Sequence, residues 1–527
     1  MPEATDYEVG GRTVSVWHAT ADSIPAVAAA GQPLTAPGAG ELDVCVVGAG
    51  IAGLTSAYLL AKAGKRVVVL DQHGIGTGET GRTSAHLASI LDDRFKHVNR
   101  MHGADQARLL HESHAVAIDL IEKITRDERI DCDFARVPAF LFLGADQAAS
   151  ELGEEYDAAV AAGVAGMSRV DAVPGLGSVP AIRFESQAQF HPLKYLHGLA
   201  RSLDRLGVGI HGGRQVVDMT GDGPVTIRTA DGVTFTAGAG IAATNVPAPI
   251  NNWAGIYTKQ AAYRTYVVGL ELGAAMLGEA LYWDMEDPYH YVRLVMTHGS
   301  PVVLVGGEDH RTGQDHGTDP ASRLDRLEQW ARRRIPGIGK RVSQWSGQVN
   351  EPDDGVAFIG RVPTRDHGGC YVVSGDSGMG LTHGTLGAII VADLIQGKHN
   401  LWADIYDPAR KATAAVRQFV RENLAAAAQL KDYLLPGDVS SIDRIAPDEG
   451  AVIRRGLHRV AVYRAPDGQV HECSAVCPHL KCVVHWNSLE KTWNCPCHGS
   501  RFDPHGKVLM GPAVDPLGSS ERSVETY

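Results

Sequence analysis

Between residues 41 and 71 the apolar positions change period twice. Val44–Val47 is a short β-branched run, Ile51–Ala63 has the three-to-four spacing of a helix, and Val67–Leu70 is β-branched again. Short continuous apolar runs are buried strands and the spaced segment is a helix, so the pattern predicts a βαβ unit. Residues 101–130 predict an amphipathic helix, with Leu109, Leu110, Ala117, Leu120, Ile121 and Ile124 on one stripe. Within 191–250 a helix, Leu193–Leu206, precedes several short strands. Residues 257–310 alternate with period two over Tyr263–Leu272, Tyr289–Met296 and Val302–Gly306, the signature of an antiparallel sheet. Residues 370–396 return to strand, glycine loop and helix, and 411–431 predict an alanine-rich helix. Leu434-Leu435-Pro436-Gly437-Asp438 breaks that helix and marks a domain boundary. Beyond it the chain is strand- and turn-rich. The lead-in, residues 1–40, holds one strand-like patch, Thr13–Trp17.

Length and composition narrow the classes. At about 150 residues per domain, 527 residues suggest three to four domains. With 44% apolar and 21% charged residues the chain is globular. A net charge of −12 without a basic stripe argues against nucleic-acid binding. The N-terminus has neither the basic nor the apolar segment of a signal peptide. No apolar run reaches the 18 or so residues of a membrane span. A cytoplasmic protein is expected, with peripheral membrane contact left open. Of eight cysteines, Cys45, Cys132 and Cys370 are scattered, whereas Cys473, Cys477, Cys482, Cys495 and Cys497 crowd together, which suggests a local metal site.

Two constellations carry chemistry. Gly48, Gly50 and Gly53 form G-x-G-x-x-G between the first strand and its helix. The first glycine permits the turn, the second admits a pyrophosphate, and the third allows close helix–strand packing. Asp71 ends the next strand, where it can accept hydrogen bonds from ribose. This predicts a dinucleotide site, common to NAD and FAD. No second such turn lies between a strand and a helix, which weighs against a nicotinamide-dependent reductase. The second constellation is Cys477-Pro-His479 followed by Cys495-Pro-Cys497-His498-Gly-Ser500. Two Cys and two His suit a structural zinc as well as an iron–sulfur cluster, but the C-x-H pair departs from usual zinc spacings.

The βαβ turn, the segment Gly81-Arg82-Thr83-Ser84-Ala85, His191-Pro192 before a helix, and the loop Gly375–Gly384 resemble the FAD-dependent D-amino acid oxidase superfamily, with glycine and sarcosine oxidases, over residues 41–430. The resemblance implies a Rossmann-like α/β FAD-binding domain of the glutathione-reductase type, with an interleaved antiparallel-sheet substrate domain. Its FAD-binding parts would be about 41–100, 191–250 and 345–430, and its substrate parts about 101–190 and 251–344, within 41–435. Residues 81–85 would lie along pyrophosphate and flavin, and Gly378, Met379, Gly380, Leu381 and Thr382 would touch the flavin ring. Residues 437–527 resemble an all-β Rieske 2Fe–2S domain. By that resemblance Cys477 and Cys495 ligate one iron, His479 and His498 the other, and Cys482 pairs with Cys497 in a disulfide. Ser500 sits where a hydroxyl tunes the cluster, Gly511-Pro512-Ala513 resembles the loop over it, and Phe502 stands where a tyrosine is frequent, which implies a lower potential. Ser15-Val16-Trp17, Tyr282–Gln314 and Ser346–Arg361 extend the likeness to bacterial FAD oxidoreductases with a C-terminal Rieske domain.

Candidate catalytic residues are His290 and Arg293, on a strand that roofs the flavin by resemblance, and Lys259 before another. Core packing or surface ion pairs are the plainer readings of all three. On that strand His290 and Val292 point one way, Tyr291 and Arg293 the other. Glu308, Asp309 and His310 are read as a pocket loop or a solvated turn, His86 as a possible flavin attachment point, and His383 as a cap on the flavin loop's helix. Relatives often present an arginine to a substrate carboxylate where this chain has Gln348 and Val349, which puts an α-amino acid substrate in doubt and makes a neutral or cationic amine, facing Glu308 or Glu351, at least an equal candidate. The expected function is dehydrogenation of a small amine or amino-acid-like substrate by hydride transfer to FAD. Electrons would pass through the cluster to a one-electron carrier protein or a quinone. The alternatives are a nicotinamide- or quinone-linked reductase and a non-catalytic redox sensor.

Overall fold

In a computed structural model the described residues are 11–21, 42–145, 147–246, 256, 258–314, 318–410, 432–433, 435–456 and 458–519. The expected helix over 411–431 lies outside them. Strand Leu42–Val47 pairs in parallel with Val67–Leu70 and Thr234–Asn245, and the run continues to Gly209–His211 on one side and Cys370–Ser374 on the other. These strands read as unbroken apolar runs because both faces are covered. Helices Ile51–Lys62 and Gly380–Ile395 pack side by side on the sheet. Close approach of the two helices requires Gly384, where a Cβ would stand 2.9 Å from the Ile51 side chain.

A second, largely antiparallel sheet runs in the order 341–352, 260–271, 300–311, 290–297, 281–284, 135–142, 181–189, 86–87. Strand Arg341–Pro352 pairs along its length with Gln260–Glu271. It therefore belongs to the substrate sheet, and the expected boundary at 344/345 cuts through one strand. One face of this sheet is covered by helix Pro320–Arg334, which Asp319 caps through its carboxylate. The other face turns toward the FAD-type sheet.

The patch Thr13–Trp17 is not a strand. Ser15 accepts from the His18 amide and caps a short helix, Val16–Thr20, because Val16 and Trp17 both have a core to enter. Trp17 Nε1 donates to the Thr83 carbonyl and the Ser15 hydroxyl to that of Gly81. Residues 11–21 are thus part of the flavin-loop packing rather than a separate extension.

Residues 435–519 form two small antiparallel sheets, Glu449–Arg455 with His458–Arg464 and Val470–Ser474, and His485–Asn487 with Thr492–Asn494, Arg501–Phe502 and Val508–Met510. Their core contains Trp493, Phe502, Cys477 and Cys495. Among the described residues no helix is long and apolar enough to cross a membrane.

Candidate functional site

One long cavity runs from the first glycine turn to the N-terminus of helix Gly380–Ile395. Gly48, Gly50 and Asp71 line one end, and Gly378, Met379, Gly380, Leu381 and Thr382 the other. Gly48 has φ +112°, and a Cβ there would lie 2.3 Å from the Ala243 carbonyl oxygen. Gly53 does not line the cavity: a Cβ on it would meet the Gly48 carbonyl at 1.9 Å, so it serves packing. Asp71 accepts from the amides of Ala49 (2.8 Å), His73 (2.8 Å) and Gly74 (2.7 Å) and so ties the turn together at the cavity wall. Two helix N-termini, a glycine cradle and a carboxylate spaced this way fit a dinucleotide bearing a flavin.

Of residues 81–85, Arg82, Thr83 and Ser84 border the cavity, while Gly81 and Ala85 do not. The Arg82 guanidinium turns away from the expected pyrophosphate. It donates to the Ser346 carbonyl (2.6 Å), to Thr13 and to Glu490 (2.8 Å), a buried anion that outcompetes the open cavity.

The second sheet supplies the wall nearest the flavin end. Trp283 faces Tyr291 across two strands, and Tyr291 faces Gly306. A Cβ at Gly306 would overlap the Tyr291 ring at 2.0 Å, so glycine makes room for that ring. His86 packs edge-on to Trp283 and Tyr291, and Tyr289 lies beside Tyr291. Burial, together with Arg293, pushes His86 down to about 3, so this ring is neutral.

None of the three candidate catalytic residues lines the cavity. His290 lies on the opposite face, stacked on Trp330 at 4.5 Å, with Nδ1 2.9 Å from Asp284. Arg293 is on the cavity side of the sheet but donates to the carbonyls of Ala85 (2.6 Å), Ser84 and Phe190, bracing the flavin loop from behind. Lys259 reaches the Pro408 carbonyl at 3.3 Å.

Residues 308–310 are not a loop but the end of strand Ser300–Arg311. Strict alternation from Gly306 would aim Glu308 at the cavity. Instead the register slips between Arg264 and Tyr266, Glu308 takes φ +59°, and this bulge reverses the alternation. Glu308 goes to Arg326 at 2.7 Å, on the helix side, and Asp309 enters the cavity wall. Asp309 Oδ1 is buried and meets no hydrogen-bond donor among the described residues, while Thr265 acts on the carboxyl. Burial pushes the Asp309 carboxyl up to about 6. Asp92 is exposed on the cavity side, with Oδ2 3.4 Å from the Tyr289 hydroxyl, and the surrounding protein together with the like charges of Asp93 and Asp309 raises it to about 7. Asp376, also in the wall, is raised by burial to about 7. Sequence reasoning missed Asp92, Asp376, Trp283 and Tyr289 as site residues; the alternation Tyr282-Trp283-Asp284 against Tyr289-His290-Tyr291 is the signal that could have found the two aromatics. Glu351 is not in the wall; it bonds to Ser377. The cavity's two guanidiniums are both engaged, Arg82 with Glu490 and Arg214 with Asp231.

Three loops of the C-terminal domain converge on a second site. The turn at 477–482 is closed by Cys477 N donating to Cys482 O, and the turn at 495–500 by Cys495 N donating to Ser500 O. Cys482 and Cys497 form a disulfide between these turns, with Cα atoms 6.4 Å apart. The Cys477 and Cys495 thiols share a hydrogen bond inside, and the His479 and His498 rings stand 5.2 Å apart nearer the surface. Burial holds both imidazoles down at about 4, so each has a ring lone pair to give at neutral pH. The Ser500 hydroxyl accepts from Ala513 N at 3.0 Å and reaches Cys477, tying the third loop to the other two. Two inner thiols and two outer imidazoles fit a Rieske cluster, whose irons are ligated unequally. Cys45, Cys132, Cys370 and Cys473 are buried elsewhere.

The two sites adjoin. Gln348 lines the cavity and its Nε2 donates to the Gly499 carbonyl at 3.1 Å, next to His498. Gly499 has φ +76°, and a Cβ there would be 2.3 Å from Ala262. Gly511 and Ala513 of the third loop also line the cavity.

These features define a flavin-dependent oxidoreductase joined to a Rieske iron–sulfur domain. Residues 43–394 match the family model "FAD dependent oxidoreductase" and residues 437–527 match "Rieske [2Fe-2S] domain". The chain belongs to this FAD-dependent oxidoreductase family, and its cofactors are FAD and a 2Fe–2S cluster. It is 31% identical over 480 residues to the Rieske 2Fe-2S iron-sulfur protein YhfW of Bacillus subtilis, covering 90% of this chain and 93% of that one. It is 30% identical over 197 residues to the gamma-glutamylputrescine oxidoreductase of Escherichia coli, 36% of this chain and 46% of that one. The fold matches glycine oxidase from Geobacillus kaustophilus with a TM-score of 0.58 at 19% identity, over 70% of this chain and 99% of that one.

Proposed function

We propose that the chain dehydrogenates a cationic amine lacking an α-carboxylate and passes the electrons through its cluster to a one-electron carrier protein or a quinone. The observation that carries the substrate class is the wall nearest the flavin end. Asp92 and Asp309 stand among Trp283, Tyr289 and Tyr291, and neither guanidinium in the cavity is available to a carboxylate. Aromatic faces and carboxylates attract an ammonium, whereas a carboxylate substrate would meet like charge. One relative is named for γ-glutamylputrescine, whose putrescine end is a primary amine with no carboxylate on the neighbouring carbon, although its glutamyl end carries one.

Bound FAD supplies a two-electron acceptor for the C–H bond next to nitrogen. The protein's part is to hold the amine and take a proton from it. An ammonium has no lone pair to assist loss of hydride, so it must first be deprotonated. Asp309, raised to about 6, is suited to receive that proton. Trp283 and Tyr291 exclude water around it. The Gln348–Gly499 contact supports the electron route, because it links the cavity wall to the residue after a cluster ligand. A built-in one-electron centre would be redundant if oxygen reoxidised the flavin, which favours a dehydrogenase.

The test is an anaerobic stopped-flow panel of mono- and diamines, N-methylated amines and α-amino acids, following flavin bleaching and cluster reduction by absorbance. Cationic amines without a carboxylate are expected to bleach the flavin fastest. Preference for α-amino acids would overturn the substrate class, and bleaching by NADH or NADPH alone would overturn the reaction.

A further inference from the structure

Behind the flavin loop, one hydroxyl lies between two carboxyl groups. Ser377 Oγ is 3.0 Å from Asp93 Oδ2 and 2.9 Å from Glu351 Oε2. A hydroxyl carries one hydrogen and donates it to one partner only. If both carboxyls were ionised, one oxygen pair would sit at hydrogen-bonding distance with no hydrogen between them, beside two unbalanced charges. The arrangement closes only when one carboxyl brings its own proton. Ser377 is itself buried and held at φ +41°, a left-handed conformation in which a non-glycine residue is strained, with its amide donating to the Asn350 carbonyl at 3.0 Å.

This group is connected on both sides. Asp93 and Ser377 line a small internal cavity with Asp92, His114 and His383, and Asp92 and His383 also line the flavin cavity. His114 is completely buried, and neither of its ring nitrogens has a protein partner. Leu91, Val98 and Leu110 help close the rest of this cavity, whose volume of about 10 Å³ leaves room for at most one water against the polar side. Outward, helix Phe95–His102 starts two residues after Asp93 and carries His97 and His102, both half-buried; His97 Nδ1 is 2.7 Å from Arg100, His102 Nε2 is 2.7 Å from the carbonyl of Asp354, and both rings act electrostatically on Asp93. Asp354, itself paired with Arg410 at 2.8 Å, acts on Asp93, and Asp92 and Asp376 act on Glu351.

We propose that Asp93 and Glu351, joined through Ser377, share one proton at neutral pH and relay protons between Asp92 in the flavin cavity and the outer histidines His97 and His102. The proposal rests on the amine-dehydrogenation reading for its purpose. Conversion of R–CH2–NH3+ to R–CH=NH2+ releases two electrons and two protons. The electrons leave to the one-electron acceptor, and the protons need a route to solvent that stays open when FAD and substrate fill the cavity. The relay shares no residue with the Arg82, Gln348 and Glu79 contacts of the Rieske domain. Burial and then the neighbouring Asp93, Asp92 and Asp376 hold Glu351 well above the usual carboxylate range, which agrees with the proton resting there.

The experiment uses the holoenzyme without substrate, so it stands or falls apart from the substrate assignment. Infrared difference spectra of wild type minus Glu351→Gln at pH 7, in H2O and D2O, are expected to show a protonated carboxyl stretch that shifts with deuterium, distinct from the bands of Asp92 and Asp376, which both proteins share. After photoreduction and mixing with ferricyanide in weak buffer, a pH dye reports proton release. Wild type should release protons in step with flavin reoxidation, and Asp93→Asn and Ser377→Ala should lag by about tenfold or more. Absence of that band from the difference spectrum overturns the shared proton, whatever the other variants do. Unchanged proton release in folded, flavin-loaded Asp93→Asn and Ser377→Ala overturns the relay.

Discussion

The Glu490 carboxylate of the Rieske domain lies 2.8 Å from the Arg82 guanidinium of the flavin loop, and both side chains are wholly buried. Arg264, 4.0 Å from the same oxygen, is buried too, and the Ser346 hydroxyl completes the shell. Glu490 thus compensates Arg82 and Arg264 where the iron–sulfur domain meets the flavin domain, beside a third buried guanidinium, Arg501, which Glu79 meets at 3.4 Å.

Glu490→Gln removes that anion and leaves two cations in a dry contact. Breaking a buried pair this way typically costs about 3–5 kcal/mol, so a clear fall in Tm is expected, with faster FAD loss on dilution. Burial raises the Glu490 pKa, but Arg82 and Arg264 outweigh it and hold the group below its ordinary value. A depressed carboxylate contributes stability above its unfolded pKa, about 4.3, and loses it as pH falls through the folded value. The stability gap between wild type and Glu490→Gln should therefore be full at neutral pH and shrink below about pH 4. Urea unfolding across that range checks it; a gap independent of pH would refute the assignment.

Gln348→Leu keeps the bulk at the cavity wall and removes the 3.1 Å bond to the Gly499 carbonyl. Flavin bleaching by substrate should keep its rate, while cluster reduction falls severalfold behind it in anaerobic stopped flow. The cluster's EPR spectrum should be unchanged, since no ligand is altered. Equal rates in both proteins would place the electron route elsewhere.

How much of this was legible in the sequence depends on the reach of each contact. The glycine turn with Asp71, and Cys477-Pro-His479 with Cys495 to His498, are local, because their spacing alone brings the groups together. The Glu490–Arg82 pair joins residues 408 positions apart, and no local pattern couples them. The acidic wall failed for a different reason. Reading 308–310 as a loop or turn gives Glu308 and Asp309 no faces, and strict period two would give the wrong ones, because a bulge, invisible as composition, slips the register by one. The same periodicity correctly set His290 opposite Tyr291, yet it could not say which side holds the cavity. The helix Val16–Thr20 looked like a strand because two large apolar residues in a short run fit either element.

Asp309→Asn tests the amine pocket. A charged hydrogen bond is worth about 1.5–3 kcal/mol, so kcat/KM for a cationic amine should fall roughly 10- to 100-fold. A neutral amine of similar shape should lose less at high pH, where no proton has to be accepted. Because burial lifts Asp309 to about 6, wild-type flavin reduction should rise as pH climbs through that value and the group ionises. That acid limb should be missing in Asp309→Asn. Retention of the limb would assign it to Asp92, and retention of full activity would dismiss both the charge and the base role of Asp309.

His479→Ala removes one imidazole of the outer pair, and a 2Fe–2S cluster lacking a ligand is expected to be lost. The folding core around Trp493 and Phe502 does not include His479, and the Cys482–Cys497 disulfide still joins the two turns. The Rieske domain should therefore stay docked through Glu490, and the flavin should remain bound. Substrate should still bleach the flavin once, since Asp309 and the aromatic wall are untouched. Steady-state turnover with a one-electron acceptor should collapse, because the flavin then has no route to it. Oxygen supplies the decisive contrast. If the variant turns over with oxygen as fast as wild type does with any acceptor, the cluster is not on the path and the enzyme is an oxidase. If both proteins are slow with oxygen and only wild type is fast with the carrier, the cluster is the obligatory exit for electrons.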